Sequence, residues 1–373
     1  MLTFRKFILA VATLTGTIIG VGFFSLPYIT LQVGIWIMLG YFLALGFLSI
    51  LIQSLFGQVA LKTADLKRFP GYVRTHLGRT AERVAQITTI FGLFGALLAY
   101  LIVGSEFLYE LLSPIFGGGT VFYAILYFMA GALLILFGIK AISKIEFWGL
   151  VLFFVILAVM FLKGSSQINI ANVFPGINGL PLNFRNFFLP YGPILFSLAG
   201  VSLIPEVEEM LGDKKKLLKL VIPVSILTAI VVYGFFIYFV LGITGQQTTE
   251  SALGGLKNFL NRGIFSLAVF FGVVATFTSF IALGLNLKNV FQYDLKINKG
   301  LAWLITCFTP LFLYFIGIKS FISVISFVGG IFLGIDGVLI LLMYKKVSQK
   351  KFLPYSLSAI FILGIIYEII YFI

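Results

Sequence analysis

Two stretches rich in glycine and proline interrupt long apolar runs and free backbone groups that could bind a ligand. The first, "TGTIIGVGFFSLPYI", covers residues 15–29, and the second, "YGPILFSLAGVSLIPEVEEM", covers residues 191–210. Glycine and proline weaken a helix, so N–H and C=O groups there lose their intrahelical partners. Freed N–H groups at the start of a half-helix attract an anion, and freed carbonyls can accept from an ammonium group. The pattern therefore predicts binding by backbone at two broken helices.

The composition places these stretches in a membrane. The chain is 60% hydrophobic, 17% aromatic and only 10% charged, with a mean hydropathy of +1.12, whereas soluble domains carry about 25% charged residues. Runs of about 20 apolar residues, enough to cross a bilayer, recur along the chain. They predict an all-α integral membrane protein with about eleven spans, at residues 5–31, 35–61, 84–112, 120–139, 146–163, 187–211, 217–243, 263–286, 300–317, 320–343 and 353–372.

The net charge of +13 reflects topology rather than nucleic-acid binding. With the N-terminus in the cytoplasm, 21 of the 26 basic residues lie on inner segments. The outer five are Lys163, Arg185, Lys257, Arg262 and Lys319. This positive-inside bias predicts a cytoplasmic N-terminus and, with an odd number of spans, an outer C-terminus. Short loops and small size indicate a prokaryotic plasma membrane protein, and we expect the first apolar run to be retained rather than cleaved.

The two interrupted stretches occupy equivalent positions in two groups of five spans. Aligning "GVGFFSLP" with "LAGVSLIP" superimposes Pro27 on Pro205, with Gly22 and Gly200 upstream. Because five is odd, the groups at residues 5–163 and 187–343 have opposite topology, with 353–372 as an extra C-terminal helix. Interrupted segments at matching positions of inverted repeats indicate a transporter binding site at the midplane, within one domain spanning residues 1–373. Alternatively, Gly16 and Gly20 serve only to let two helices pack closely.

Histidine and cysteine are too scarce for most catalytic chemistry. His76 and Cys307 are the single residues of their types, which excludes an intramolecular disulfide, histidine triads and multi-histidine metal sites. A membrane transferase would need converging His, Asp and Glu groups at the interface, which the sequence does not supply. We therefore expect no enzyme activity and no cofactor.

Three motifs carry a resemblance to a known family. The chain resembles the amino acid–polyamine–organocation transporters, which have the LeuT fold, in "GTIIGVGFFSLP" of the first span and "LPYGPILFSLAGVSLIPEVEEML" of the sixth. It is similar to the hydroxy/aromatic amino acid permease branch of these transporters in "TSFIALGLNLKNVF" of the eighth span. The resemblance implies a 5+5 inverted repeat with the first and sixth helices unwound at the midplane. It also implies import of a neutral, aromatic or large apolar amino acid by alternating access.

The resemblance assigns the substrate site to both breaks and the third span. The N–H groups of Val21 and Gly22 would meet a carboxylate, helped by the hydroxyl of Tyr100, which could instead be an ordinary packed aromatic. The remaining implied residues are Gly20, Phe23, Phe196, Ser197, Leu198, Ala199 and Gly200. No acidic residue lies within either break, which favours a zwitterion over an amine without a carboxylate.

The same relatives imply a sodium site at "ATFTS" in the eighth span. Ala275, Thr278 and Ser279 match its spacing, and Gly16 and Ile19 match the carbonyls of the first helix. A hard cation prefers several oxygen ligands, and the ends of half-helices add to the field. Alternatively, the hydroxyls bond back to their own helix, and the coupling ion is H⁺ or there is none.

Charged residues near the spans are further candidates, because ionisable groups in lipid are costly. Glu106 and Asp336 are candidates for a proton or gate role, and Arg5 or Lys6 with Asp294 for an inner gate. The acidic residues after Pro205 are expected to pair with Lys214, Lys215 or Lys216 at the interface. The basic loop 62–83 could hold a short helix, and the outer loop 244–262 a short surface helix.

Two alternatives to a transporter remain open. A non-transporting sensor, of the germinant-receptor type, could share the fold and the site, and would bind an amino acid with a dedicated partner subunit. A channel fits less well, because two interrupted helices suit a closed site better than an open pore. The expected partners are a small amino acid and the lipid bilayer but no nucleic acid, with the chain acting as a monomer and an oligomer as the alternative.

Overall fold

A computed structural model describes residues 2–138, 142–175, 186–348 and 352–372. Four of the basic residues counted above, Lys140, Arg185, Lys350 and Lys351, lie outside the described residues, as does part of the outer loop 164–186. The helices are α1 Leu2–Ile18, α2 Leu26–Val33, α3 Ile35–Leu61, α4 Phe69–Leu77, α5 Arg79–Phe116, α6 Thr120–Phe137, α7 Ile142–Gly164, α8 Ile170–Val173, α9 Tyr191–Ser197, α10 Ile204–Leu211, α11 Leu218–Thr244, α12 Arg262–Asn289, α13 Lys299–Phe315, α14 Phe321–Phe327, α15 Leu333–Ser348 and α16 Phe352–Phe372.

The described helices match the apolar runs of the sequence. Six are long and apolar enough to cross a membrane, or seven when the bent pair 4–18 and 21–33 counts as one span. One of these segments, 191–247, covers both the sixth and the seventh predicted runs, and shorter apolar helices at 151–167, 299–315 and 355–370 lie at the fifth, ninth and eleventh. Helix α5, which forms the third span, covers residues 79–116 and extends beyond the predicted 84–112 at both ends. The count of eleven spans stays a prediction.

The third span lies at the centre of the bundle. Every residue from Ala96 to Ser105 is buried, so α5 is covered on all sides at this level. It packs against α12, α6 and α13, while α1 packs against α11. This arrangement brings the middle of α5 against the chain between α1 and α2.

The predicted helix in the basic loop is confirmed, whereas the short helix predicted in the outer loop is a 3₁₀ helix with buried apolar residues. Residues 69–77 form α4. The outer loop contains two short 3₁₀ turns, Gly245–Gln247 and Gly254–Asn258. Ala252, Leu253 and Leu256 are at most 2% exposed, so the loop folds inward to bury its apolar side chains instead of lying on the surface.

Candidate functional site

The first span breaks between Ile18 and Val21. The last backbone hydrogen bonds at the end of α1 run from Ile19 N–H to Thr15 O and from Gly20 N–H to Ile18 O, both at 2.8 Å. Gly20 is extended, with φ −103° and ψ −158°. A 3₁₀ turn, Val21–Ser25, then leads into α2, and the two halves of the span are bent by 53°. The N–H groups at the start of this turn are left without helical partners.

A tyrosine hydroxyl from the third span meets the first of these N–H groups. Val21 N–H donates to Tyr100 Oη over 3.0 Å, in a buried contact between residues 79 positions apart. Gly20 makes this approach possible, because a Cβ there would lie 2.6 Å from the same oxygen. Tyr100 is therefore more than a packed aromatic, since its hydroxyl holds the break.

The two breaks meet at Gly22. A Cβ on Gly22 would lie 2.5 Å from Ser197 Oγ and 2.8 Å from Phe196 Cδ1, at the end of α9. Behind them, a Cβ on Gly200 would lie 3.0 Å from Ile18 Cγ1. The sixth span resembles the first in its geometry: α9 ends at Ser197, a 3₁₀ turn covers Val201–Leu203, and α10 follows.

Two polar side chains that sequence reasoning missed hold the broken ends. Tyr233 Oη lies 2.9 Å from Ile18 O and 2.7 Å from Ser197 O, so one hydroxyl serves the last carbonyls of both α1 and α9. Gln53 Nε2 donates to Leu198 O over 2.8 Å. A glutamine inside an apolar run was a usable signal for Gln53. Tyr233, one of sixteen tyrosines, offered none.

A cavity of about 120 Å³ lies beside the first break. It joins the backbone of the break to Tyr100 and to α12. The predicted residues that line it are Gly16, Ile19, Gly20, Val21, Phe23, Tyr100, Ala275, Thr278 and Ser279. The structure thus brings the predicted sodium residues and most of the predicted first-break residues to one cavity, whereas Gly22 is not among its lining residues. None of its lining residues is acidic or basic.

The sixth-span residues, in contrast, do not line this cavity. Phe196 and Ser197 contact Gly22 from behind, and Leu198 and Ala199 line a separate cavity of about 50 Å³ with Gln53 and Asp336. In this conformation residues 196–200 do not line the cavity at the first break, and their completing one pocket with it stays a prediction. The cause is the tight packing of Gly22 against α9, which leaves no open space between the two breaks.

Aromatic rings close the cavity on the side of α2. Phe23 lies 4.1 Å from Phe24 and 5.5 Å from Phe153, measured between ring centroids. Phe236 and Phe107 extend the cluster, at 4.7 Å from Phe23 and 4.9 Å from Phe24 respectively. Three of these four pairs are edge-to-face, and such pairs are worth about 0.5–1.5 kcal/mol each, so the closure is stable yet can be rearranged.

The predicted sodium residues present oxygen atoms from two elements. Gly16 lies in the last turn of α1 and Ile19 directly follows this helix, where carbonyls lack intrahelical donors. Facing them, Thr278 Oγ1 donates back to Ala275 O over 3.2 Å. This contact is the alternative named above, in which the hydroxyl bonds back to its own helix. Because the hydroxyl donates in it, both lone pairs of the oxygen stay available to a cation.

Comparisons with known proteins decide the family. The family described as "Tryptophan/tyrosine permease family" matches residues 3–370. The chain belongs to this permease family. The permease is 24% identical over 364 residues to "Tyrosine-specific transport system 1" of Haemophilus influenzae, covering 91% of this chain and 88% of that protein.

A solved structure shows the fold. The permease is similar to the protein in "Crystal structure of MhsT in complex with L-phenylalanine", with a TM-score of 0.59, 13% identity and coverage of 96% of this chain and 98% of that chain. The predicted resemblance to LeuT-fold amino acid permeases is confirmed, and so is the all-helical membrane fold. The permease is a multi-pass membrane protein for amino acid transport, not an enzyme.

Two acidic side chains that the sequence singles out are hydrogen-bonded to hydroxyl groups of other elements. Ser251 Oγ donates to Glu106 Oε1 over 2.7 Å and Thr88 Oγ1 donates to Asp336 Oδ1 over 2.6 Å. The predicted pairing after Pro205 is confirmed for Glu208, which lies 3.7 Å from Lys215.

The predicted partner of Asp294 is wrong. Arg68 Nη1 lies 3.1 Å from Asp294 Oδ2, and among the ion pairs between described residues neither Arg5 nor Lys6 takes part. The reason is position, because Arg68 immediately precedes α4 and its guanidinium lies beside Asp294, the last residue of the π-helical turn Val290–Asp294 that follows α12.

Proposed function

We propose that the permease imports a large neutral amino acid, aromatic in its side chain, by alternating access coupled to sodium. The observation that carries this proposal is the single cavity where the freed N–H of Val21, the hydroxyl of Tyr100 and the oxygen-rich end of α1 meet Thr278 and Ser279. An amino acid carboxylate takes the N–H groups, while a cation takes the carbonyls and hydroxyls.

The absence of charged lining residues and the aromatic side chains of the cavity indicate the class of substrate. Since the cavity has no charged lining residue, a net-charged substrate would be left unpaired there. Phe23, Phe153 and Phe271 offer aromatic walls. The tyrosine-specific relative and the phenylalanine-bound neighbour support the same preference. At about 120 Å³ the cavity is small, so binding a large amino acid requires the aromatic cluster to open.

Movement of the broken helices would provide alternating access. We propose that residues 5–163 and 187–343 are inverted repeats in one domain, with residues 353–372 added, and that one set of helices rocks against the other around the breaks. The N-terminus then lies in the cytoplasm and the C-terminus outside the plasma membrane. The chain acts as a monomer in this scheme.

Sodium coupling is tested by uptake into liposomes. With purified permease, we expect an inward sodium gradient at clamped pH to drive uptake of labelled tyrosine. Thr278→Ala removes one ion ligand, worth about 1.5–3 kcal/mol for a bond to a charged group, and should weaken sodium activation roughly 10- to 100-fold. Thr309→Ala is the matched control, because its hydroxyl makes the same bond back to its own helix, to Ile305 O at 2.7 Å, away from the cavity.

Other outcomes would redirect the proposal. Uptake driven only by a proton gradient would keep the transporter and remove the sodium site. Saturable tyrosine binding without uptake under either gradient would favour the non-transporting sensor.

We further propose that Arg68–Asp294 is an inner gate and that Glu106, through Ser251, holds the outer loop closed. The inner pair is partly exposed, at 42% and 34% of the side chains, so it contributes about 1 kcal/mol or less. Asp294→Asn should therefore shift the permease toward its inward-open state by up to about fivefold. The measurement is the labelling rate of a cysteine placed at Ala282, which lines the cavity.

Asp65→Asn provides the control for this gate. Asp65 is 79% exposed and lies 3.5 Å from Lys67 in its own loop, so its loss should leave labelling unchanged. Equal labelling rates in Asp294→Asn and the parent protein would count against the inner gate.

A further inference from the structure

A carboxyl group is buried on the face of the C-terminal helix that points into the bundle. Glu368 of α16 is 2% exposed, on the same face as Phe361, which is 3% exposed. The opposite face carries Ile362, Leu363 and Ile370, which are 48%, 67% and 69% exposed. Sequence reasoning overlooked Glu368 because α16 lies outside the predicted repeats. An ionisable residue that faces the bundle interior is a functional candidate by default.

Three glycines allow other helices to pack around this carboxyl group. Gly192 of α9 donates a backbone hydrogen bond to Glu368, and a Cβ there would lie 2.8 Å from Glu368 Oε1. Gly330, in the π-helical turn Val328–Phe332 that joins α14 to α15, would place a Cβ 2.7 Å from Glu368 Cδ. Gly329 in the same turn lies directly against the Gly192 carbonyl. Glu368 therefore sits where the first half of the sixth span meets the tenth and eleventh spans.

Among the described residues, the titratable groups shown to interact around Glu368 are tyrosines. Tyr191 of α9, Tyr41 of α3 and Tyr367 of α16 itself interact electrostatically in this cluster. Among the ion pairs of the described residues, none includes Glu368. The Tyr191 hydroxyl is buried without a hydrogen-bond partner and packs on Gly364, one turn before Glu368. No cation of the described chain thus compensates a negative charge at this position.

An isolated carboxylate in such surroundings is strongly disfavoured. Burying an ionised carboxylate without a counter-charge costs several kcal/mol, whereas a neutral acid retains one O–H donor and an acceptor for the Gly192 N–H. The neutral form therefore fits this packing. If α9 moved away, water would reach the carboxyl group and solvate its charge.

We propose that Glu368 is a proton-binding site linked to the movement of the sixth span. The carboxylic acid keeps its proton while α9 is packed on α16 and on the π-helical turn. When α9 separates from them, the O–H bond breaks, the proton passes to water and the carboxylate remains. Repacking of α9 requires a proton to return from water. The proposal rests on the proposed alternating access, because it needs α9 to move, and it gives the extra C-terminal helix a task in the cycle.

Infrared spectroscopy of the purified permease tests the protonation without any transport. We expect a carboxylic acid C=O band in neutral buffer, with one component lost in Glu368→Gln and retained in Glu209→Gln. Glu209 is an exposed residue on α10. Identical spectra for Glu368→Gln and the parent protein would overturn the proposal, even if transport failed in every sample. If Glu368→Gln folds poorly, Glu368→Asp takes its place and is expected to keep this component of the C=O band at a shifted frequency. An unchanged frequency in Glu368→Asp would also count against the proposal.

Liposome uptake tests the link to the cycle. Uptake is followed with labelled tyrosine, and proton movement with a pH-sensitive dye inside the vesicles. Uptake should change between mildly acidic and mildly alkaline buffer in the parent protein and in Glu209→Gln. Glu368→Gln should fold and bind tyrosine but lose this dependence and the accompanying proton signal. An unaltered pH dependence in Glu368→Gln would refute the link. Absence of uptake in the parent protein would instead refute the proposed function, while the infrared result would still stand.

Discussion

Replacing Gly22 with alanine is expected to reduce amino acid uptake to background. The added methyl group would lie 2.5 Å from Ser197 Oγ, 2.8 Å from Phe196 Cδ1 and 3.2 Å from Ser197 Cα. Since the last of these is a backbone atom, the two broken helices would have to separate. The methyl group would also stand beside the N–H groups proposed for the carboxylate, so we expect at least about a hundredfold loss, equivalent to about 2.7 kcal/mol. Labelled tyrosine uptake and binding by the purified protein measure this loss.

Gly40→Ala is the matched control for this substitution. Gly40 is exposed within α3 and no atom lies within 4 Å of a Cβ built there. Alanine stabilises a helix by about 0.8–1.0 kcal/mol relative to glycine, so this variant should keep its uptake and its thermal stability. Normal uptake by Gly22→Ala would show that the breaks do not need this close approach, and would remove the basis for the carboxylate site.

Removing the Tyr233 hydroxyl is expected to slow uptake about tenfold. Tyr233→Phe leaves the carbonyls of Ile18 and Ser197 without the donor they share. A buried acceptor left unsatisfied costs about 1–3 kcal/mol, and about 1.4 kcal/mol corresponds to tenfold in rate. Because the same oxygen contacts the ends of α1 and α9, its loss loosens the position of one break relative to the other. The measurement is the initial rate of tyrosine uptake at saturating substrate, with the melting temperature recorded in parallel.

Tyr123→Phe separates this effect from a general loss of stability. Tyr123 donates to Gly117 O over 2.6 Å at the end of α5, and neither residue lines the cavity. This control should lower the melting temperature without slowing uptake. If both variants slowed uptake equally, Tyr233 would have only a structural role.

The positions of the helix breaks could be predicted from the sequence because their cause is local. Glycine and proline remove helical hydrogen bonds wherever they occur in a span, and both breaks fall at the predicted glycines, Gly20 and Gly200. The contacts that hold the breaks are not local. Tyr233 lies 215 positions from Ile18, and Gln53 lies 145 positions from Leu198, so no spacing along the chain connects them.

The differences between prediction and structure arose where the direction of a side chain or the path of a loop mattered. The pattern of residues 196–200 gives no sign of which side of the break they face, and the close packing at Gly22 turned Leu198 and Ala199 toward another cavity. Likewise, Asp294 had several basic residues available on the inner side, and only the placement of α4 selects Arg68. Glu368 required knowledge of the packing of α16.

The contact between Tyr100 and Val21 also bears on how the site discriminates between ligands. The phenol oxygen now acts as an acceptor for the Val21 N–H, but a hydroxyl can equally act as a donor. If a carboxylate binds there as proposed, it would accept from both the N–H and the hydroxyl, so both protein groups would exchange partners and neither would be left unpaired. A decarboxylated amine brings only donors to this spot and can replace neither bond. At the proposed site the Tyr100 hydroxyl thus occupies the position beside the Val21 N–H that a carboxylate oxygen would take, and displacing it would select for a molecule that carries an anionic acceptor.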